Sequence, residues 1–421
     1  MSLRTFSLIL FIIFTFSVCF SQVKKTANTE LMGDSTLAIP YEFDNAMNFM
    51  LRSWVIQRAN PSDCRSDNDA VSVSDSIYKQ RLSKLPYLME MPYNPTVRSF
   101  IDLYTVHKRR QLEYMLGMSN YYFPMFEQVL SANNLPLELK YLSIIESALN
   151  TTIVSRMGAA GLWQLMIGTG RMYGLEINSL VDERLSPVKA TNAAAHLLKD
   201  LYAIYGDWNL VIASYNCGPG NISKAMRRSG GKRDYWKIYP FLPRETRGYV
   251  PIFIAANYSM HYSKEHNLCA ATVNMPALTD TVMVHKRIHL EQIAAVLNLP
   301  IEEVRLLNPQ YRKDIIPGDI KPYELCLPIN YASVFIEKID QITAFKADEL
   351  VNNRRSEIEV PQIADNYTPG GSGKVIIHKV KSGQTLGTIA AKYGISVIKL
   401  KRWNNIKGSA IRPGQRLKII K

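Results

Sequence analysis

A chain of 421 residues with 50 Lys and Arg against 36 Asp and Glu carries a net charge of +14, which implies more than one domain and favours a polyanionic partner. Its cysteines and seven scattered histidines show no CxxC or Cys/His ligand spacing, which speaks against a zinc site, and no nucleic-acid motif accompanies the basic surplus. No cofactor or metal is expected.

In chain order, residues 1–21 combine Arg4, an apolar run from Leu8 to Phe20, and Ser21. At about 13 residues that run is too short for a bilayer core of about 30 Å, and it reads as a signal peptide cleaved after Ser21. Lipidation at Cys19 is disfavoured by bulky Val18 at the cleavage position. A soluble exported, periplasmic form is therefore expected, with outer-membrane association as the alternative. Residues 22–40 read as unstructured. Helical spacing from Tyr41 to Leu51 and from Val97 to Leu116 marks a helical N-terminal region, with 22–95 as a partly helical extension.

The run Tyr141-Leu-Ser-Ile-Ile-Glu146-Ser147 places a single acid on an apolar helical segment. Burial disfavours a charged carboxylate and raises its pKa, which is how a Glu becomes a general acid near neutral pH. Taken alone, Glu146 reads equally well as a structural acid that caps a helix or pairs with an Arg. Gly158 to Gly161 then allow close backbone approach. Trp163, Gln164 and Met166 follow, offering stacking, amide hydrogen bonding and soft apolar contact, a mixture that suits a sugar, though a Trp in an apolar run is usually core. The apolar stretch Leu210 to Tyr215 stops at Gly218-Pro219-Gly220, leaving Tyr215 and Asn216 at a helix end. Finally, Leu242 to Val250, with Glu245 and Tyr249, reads as a turn into a helix.

In this order and spacing, from about Leu135 to Met260, the four segments resemble the lytic transglycosylases with the soluble-lytic-transglycosylase fold, most closely the membrane-bound lytic murein transglycosylase D type. Two departures are Ala148-Leu-Asn-Thr after the Glu-Ser pair, where the family often has Phe-Asn-Pro, and Cys217 in place of Ala. The resemblance implies a mainly α, lysozyme-like catalytic domain over 96–268, with Glu146 as catalytic acid and base. Tyr215 would hold Glu146 in position, while Ser155, Gln164, Met166, Asn216, Glu245 and Tyr249 would line sugar subsites.

The C-terminal part repeats itself. Leu290, Ile293, Val304, Asn308 and Pro317 recur as Leu386, Ile389, Leu400, Asn404 and Pro413 at a constant offset of 96 residues. In the second copy, residues 375–421, a strand from Val375, helices Thr385–Tyr393 and Ser396–Trp403, and a strand from Leu417 form a small α+β unit. That strand-helix-helix-strand unit resembles a LysM module, which binds N-acetylglucosamine-containing glycans. The first copy, residues 280–330, has Arg287-Ile-His where the second has its polar turn, and resembles a degenerate LysM. Residues 331–374 between them read as a linker ending in Thr-Pro-Gly-Gly-Ser-Gly. The mature cysteines Cys64, Cys217, Cys269 and Cys326 allow three connectivities, and Cys269–Cys326 is the least implausible pair because both flank the first copy.

The resemblances together imply a monomeric lytic transglycosylase of peptidoglycan glycan strands, with no nucleic-acid partner. A hydrolytic muramidase on the same fold and a non-catalytic wall-binding protein are the alternatives.

Overall fold

The computed structural model describes Asp44, Ala46, Met47, residues 70–276 and 278–351, and residues 375–420 except 382, 383, 394, 396, 405, 407 and 409. The expected signal peptide, residues 22–40, most of the helix expected from Tyr41, Cys64, Ser396 and the segment 352–374 lie outside the described residues.

Three hydrophobic cores organise these residues. The first is built from helices α1 (Asp75–Ser83), α2 (Pro95–Asp102), α3 (Arg109–Ala132), α4 (Leu142–Ser147), α5 (Ile167–Met172), α6 (Pro187–Tyr205), α7 (Trp208–Cys217), α8 (Pro219–Arg228), α9 (Tyr235–Ile238), α10 (Arg244–Arg247) and α11 (Tyr249–His261). Every residue of α11 from Tyr249 to Met260 is buried. A helix apolar on all sides belongs inside a bundle, and α2, α4 and α7 pack around it.

The helix expected over 97–116 is interrupted. After α2 a wider π-helical turn covers Leu103–His107, and α3 starts beyond Lys108 at φ −118° and ψ 35°. Arg109 occupies the break, donating to the carbonyls of Thr105 (2.8 Å), His266 (3.0 Å) and Asn267 (2.7 Å). The N-terminal extension is part of this core: Tyr78 of α1 is buried against Tyr258 and His266, and the Arg98 guanidinium lies 4.2 Å over the Tyr78 ring.

The second core contains β1 (Thr279–Val284) antiparallel to β4 (Tyr323–Pro328) and β2 (Arg287–His289) antiparallel to β3 (Ile315–Pro317). Helices α12 (Leu290–Leu297) and α13 (Ile301–Leu307) lie between the strand pairs in sequence, and α14 (Ile329–Glu337), α15 (Ile339–Ala344) and α16 (Ala347–Leu350) follow. Here the expected linker is corrected. Residues 331–351 are not a tether, because Ala332, Phe335 and Ile342 join this core and Gln292 donates to the carbonyls of Thr343 and Phe345. The apolar spacing of those three residues was the signal, outweighed by the surrounding charge.

The third core is the expected strand-helix-helix-strand unit: β5 (Val375–Lys379), α17 (Leu386–Tyr393), α18 (Val397–Trp403) and β6 (Arg416–Ile420), with β5 antiparallel to β6. The repeat extends to hydrogen bonding. Asn308 bonds both backbone groups of Cys326 (2.7 and 2.8 Å), and Asn404 bonds both of Lys418 (2.8 and 2.6 Å). The two asparagines stand 96 residues apart but their partners only 92, so the first copy holds four extra residues ahead of its last strand.

A Cys269–Cys326 disulfide does not form. Cys326 is a half-buried free thiol on β4, and Cys269 is disulfide-bonded. Flanking one module in sequence did not bring the two together.

Candidate active site

Helix α4 is six residues long and ends by force: Ala148 and Leu149 both adopt left-handed φ, 50° and 63°. Two consecutive non-glycine residues there are costly, about 1–2 kcal/mol each, and persist only where the surroundings hold them. Both side chains are buried, and Ser147 Oγ reaches the Leu162 carbonyl at 2.9 Å. This reversal leaves Glu146 half-buried at the last turn of α4.

Facing α4 is the loop from Ile153 to Met166, a tight antiparallel meander in which Val154 bridges Ala160 and Ala160 bridges Leu165. Gly161 sits at φ 78°, and a Cβ there would lie 2.0 Å from the Arg184 carbonyl oxygen. Gln164 also has positive φ, 44°, held because its amide nitrogen donates to the carbonyls of Gly161 (2.9 Å) and Ile153 (3.2 Å). Ser155 is buried, its Oγ accepting from the Ala159 N–H at 3.1 Å. Met166 is 44% exposed at the end of the loop.

Of its two readings, Trp163 takes the core one. It is fully buried, edge-on to Phe126, with its indole N–H donating to Thr191 Oγ1 at 2.9 Å, so it offers no face for stacking on a sugar. Its carbonyl, however, accepts from the Tyr215 hydroxyl at 2.6 Å. The hydroxyl that donates to Glu146 Oε1 is that of Tyr249, at the start of α11. Tyr215 ties α7 to the loop beside Glu146, while Tyr249 makes the direct hydrogen bond to the carboxylate.

Burial, reinforced by the neighbouring Glu146 charge, pushes both phenols well above their ordinary value of 10.0, so each hydroxyl remains a donor through neutral pH. Among the described residues, Glu146 is the only carboxylate whose charge acts on both. Asn216 is exposed at the end of α7 and accepts from Thr246 Oγ1 at 2.9 Å, joining that end to α10; Glu245 lies exposed on α10.

The sequence reading missed Thr246, Thr191 and above all Arg184. Arg184 is 2% exposed and donates to the carbonyls of Gly158 (2.6 Å) and Leu165 (2.9 Å), closing the loop at both ends. An Arg in a polar Asp-Glu-Arg string gives no signal of burial. Elsewhere, a cleft of about 490 Å³ lined by Tyr173, Glu176, Glu183, Lys189, His196 and Lys321 contains none of the expected site residues.

Residues 124–238, which span α4, the meander and α7, match the Transglycosylase SLT domain. Residues 278–344 match the LysM-like domain of lytic transglycosylase MltD, and residues 378–419 match the LysM domain. A transglycosylase SLT domain followed by two LysM-type domains is the make-up of a lytic transglycosylase, a lyase that acts on peptidoglycan.

It is 29% identical over 335 residues to the membrane-bound lytic murein transglycosylase D of Escherichia coli strain K12, covering 79% of this chain and 70% of that protein. It is 32% identical over 135 residues to the soluble lytic murein transglycosylase of the same strain, covering 30% of this chain and 21% of that one. The solved 70 kDa soluble lytic transglycosylase of Escherichia coli aligns over 35% of this chain and 25% of its own, at 28% identity and a TM-score of 0.31.

Proposed function

We propose that Glu146 performs both proton transfers of a non-hydrolytic cleavage of the MurNAc-β-1,4-GlcNAc bond, giving 1,6-anhydroMurNAc ends. The observation that carries this is one half-buried carboxylate at a forced helix end, with a buried tyrosine donating to it. Most glycosidases flank the scissile bond with two carboxylates. With one, Glu146 protonates the leaving oxygen and then accepts the proton of the muramoyl C6 hydroxyl as that oxygen attacks C1. The substrate's own N-acetyl group stabilises the positive charge at C1 in between. Tyr249 orients the carboxylate, and Ser155, Gln164, Met166, Tyr215, Asn216 and Glu245 line the glycan path.

In this reading residues 96–268 carry the catalytic site and residues 375–421 hold the wall. The chain works in the periplasm as a monomer. Supporting the location are the leader-like residues 1–21 and a relative named membrane-bound, while no described helix is long and apolar enough to cross a membrane.

Mass spectrometry of muropeptides released from purified sacculi tests the reaction. Products lighter by one water than hydrolytic ones are expected; reducing-end muramic acid as the main product would establish a muramidase instead.

A further inference from the structure

The second core is fused to the catalytic core. Leu180 and Val181, between α5 and α6, are fully buried among residues of the LysM-like module rather than among those of their own domain. Backbone pairing continues the fusion: Val181 bridges Tyr311, the Asp182 N–H donates to the Gln310 carbonyl at 2.9 Å, and the Arg312 N–H donates to the Leu180 carbonyl at 2.7 Å. The four extra residues of the first repeat fall nearby. Lys321 among them pairs with Glu176 at 2.6 Å, and Tyr323 donates to the same carboxylate at 2.7 Å.

At the centre of this junction lies Asp182, wholly buried. Its Oδ1 accepts from Arg184 Nε at 2.9 Å. Its Oδ2 is shared by Arg184 Nη2 at 2.8 Å and Arg312 Nη2 at 2.6 Å. The remaining Arg184 nitrogen, Nη1, holds the carbonyls of Gly158 and Leu165. An Arg fork fixes direction as well as charge, so anything that turns the Asp182 carboxylate turns the group that closes the meander. That meander supplies the Trp163 carbonyl to Tyr215 and the positions of Gln164 and Met166.

We propose that Arg312 of the LysM-like module is a positioning residue for glycan cleavage, acting through Asp182 and Arg184 on the loop Gly158–Leu165. The module is then a working part of the catalytic unit, and Arg312 sets how often the loop is in the productive geometry. This rests on the assignment of Glu146 and its facing loop as the active site. Displacement of such a group by about 1 Å can cost up to 10²-fold in rate, so a partial loosening is expected to cost roughly tenfold.

The test uses the full-length chain and short soluble peptidoglycan oligosaccharides, which remove wall tethering from the rate. Arg312→Met is expected to lower kcat by roughly tenfold with KM near that of the native chain. Arg312 is 39% exposed, so its site is open to a small cation, and millimolar guanidinium is expected to restore most of the lost kcat. Arg312→Gln carries the same comparison if the apolar variant does not fold. Native kcat in a folded variant overturns the proposal. So does a loss of kcat that tracks the melting temperature and is not restored by guanidinium. Glu146→Gln measured alongside separates the two levels: activity retained there removes the acid–base reading itself, whereas an inactive Glu146→Gln beside a fully active Arg312→Met removes only the positioning role.

Discussion

Two acids eight residues apart, Glu138 and Glu146, are sorted by what donates to them. Glu138 is 4% exposed and accepts the backbone N–H groups of Leu88 (2.7 Å) and Met89 (3.0 Å), a structural use. Glu146 is more open and takes a tyrosine hydroxyl. Glu146→Gln keeps the shape but cannot carry a proton, so turnover is expected to fall by about 10²–10⁴-fold or more while the melting temperature holds. A folded variant retaining substantial activity would remove Glu146 from the reaction.

His266 gives a pH signature of a different kind. It is buried, with its ring nitrogens facing the Tyr258 hydroxyl at 3.0 Å and the Val71 carbonyl at 2.9 Å. Burial, with the Arg81 and Arg109 charges adding to it against the opposing Val71 carbonyl and Glu265, pulls its pKa below the ordinary 6.5. The fold therefore favours the neutral ring. That contribution is complete above about pH 6.5 and is lost as pH falls through the lower folded value. Between pH 7 and 5 the native chain should lose more melting temperature than His266→Gln does; parallel curves would exclude the effect.

At the scale of elements, the site depends on pieces that run against local preference. Helix α4 is only six residues long, and the meander after it needs positive φ at Gly158, Gly161 and Gln164. The two glycines are not equivalent. An alanine Cβ at Gly158 would meet nothing within 4 Å, whereas at Gly161 it would strike the Arg184 carbonyl. Gly158→Ala should then cost only the backbone term, about 1–2 kcal/mol. Gly161→Ala adds a clash with main chain and is expected to cost clearly more, with activity lost through the displaced loop. Urea unfolding of both variants checks the order.

At the scale of the whole chain, the two repeat copies have diverged in attachment. The first shares its core with Leu180 and Val181 and its polar groups with Asp182 and Glu176. The second keeps a separate core, from Val380 to Ile419, drawn wholly from its own residues. Deleting residues 375–421 is therefore expected to weaken retention on insoluble peptidoglycan while turnover of short soluble glycans stays nearly unchanged, because a tether contributes effective concentration. Sedimentation with sacculi and a soluble-substrate assay on the same protein measure the two. Loss of soluble turnover would mean that the last module shapes the active site.

The ordered segments around Glu146, Gln164, Tyr215 and Tyr249, the helix ends at Gly218 and the 96-residue repeat were all legible in the sequence, because apolar period, helix stop signals and short-range spacing are local properties. Exposure and partnership were not. Trp163 faces the core because Thr191 and Phe126 close over it, Tyr249 rather than Tyr215 donates to Glu146, and Cys326 is a free thiol on β4. Arg184 and Arg312 stand 128 residues apart, and only folding brings both onto one carboxylate. Local pattern fixes which elements form, while the partner of a buried charge is chosen by the packing of segments remote in sequence, where desolvation must be offset by whichever groups arrive.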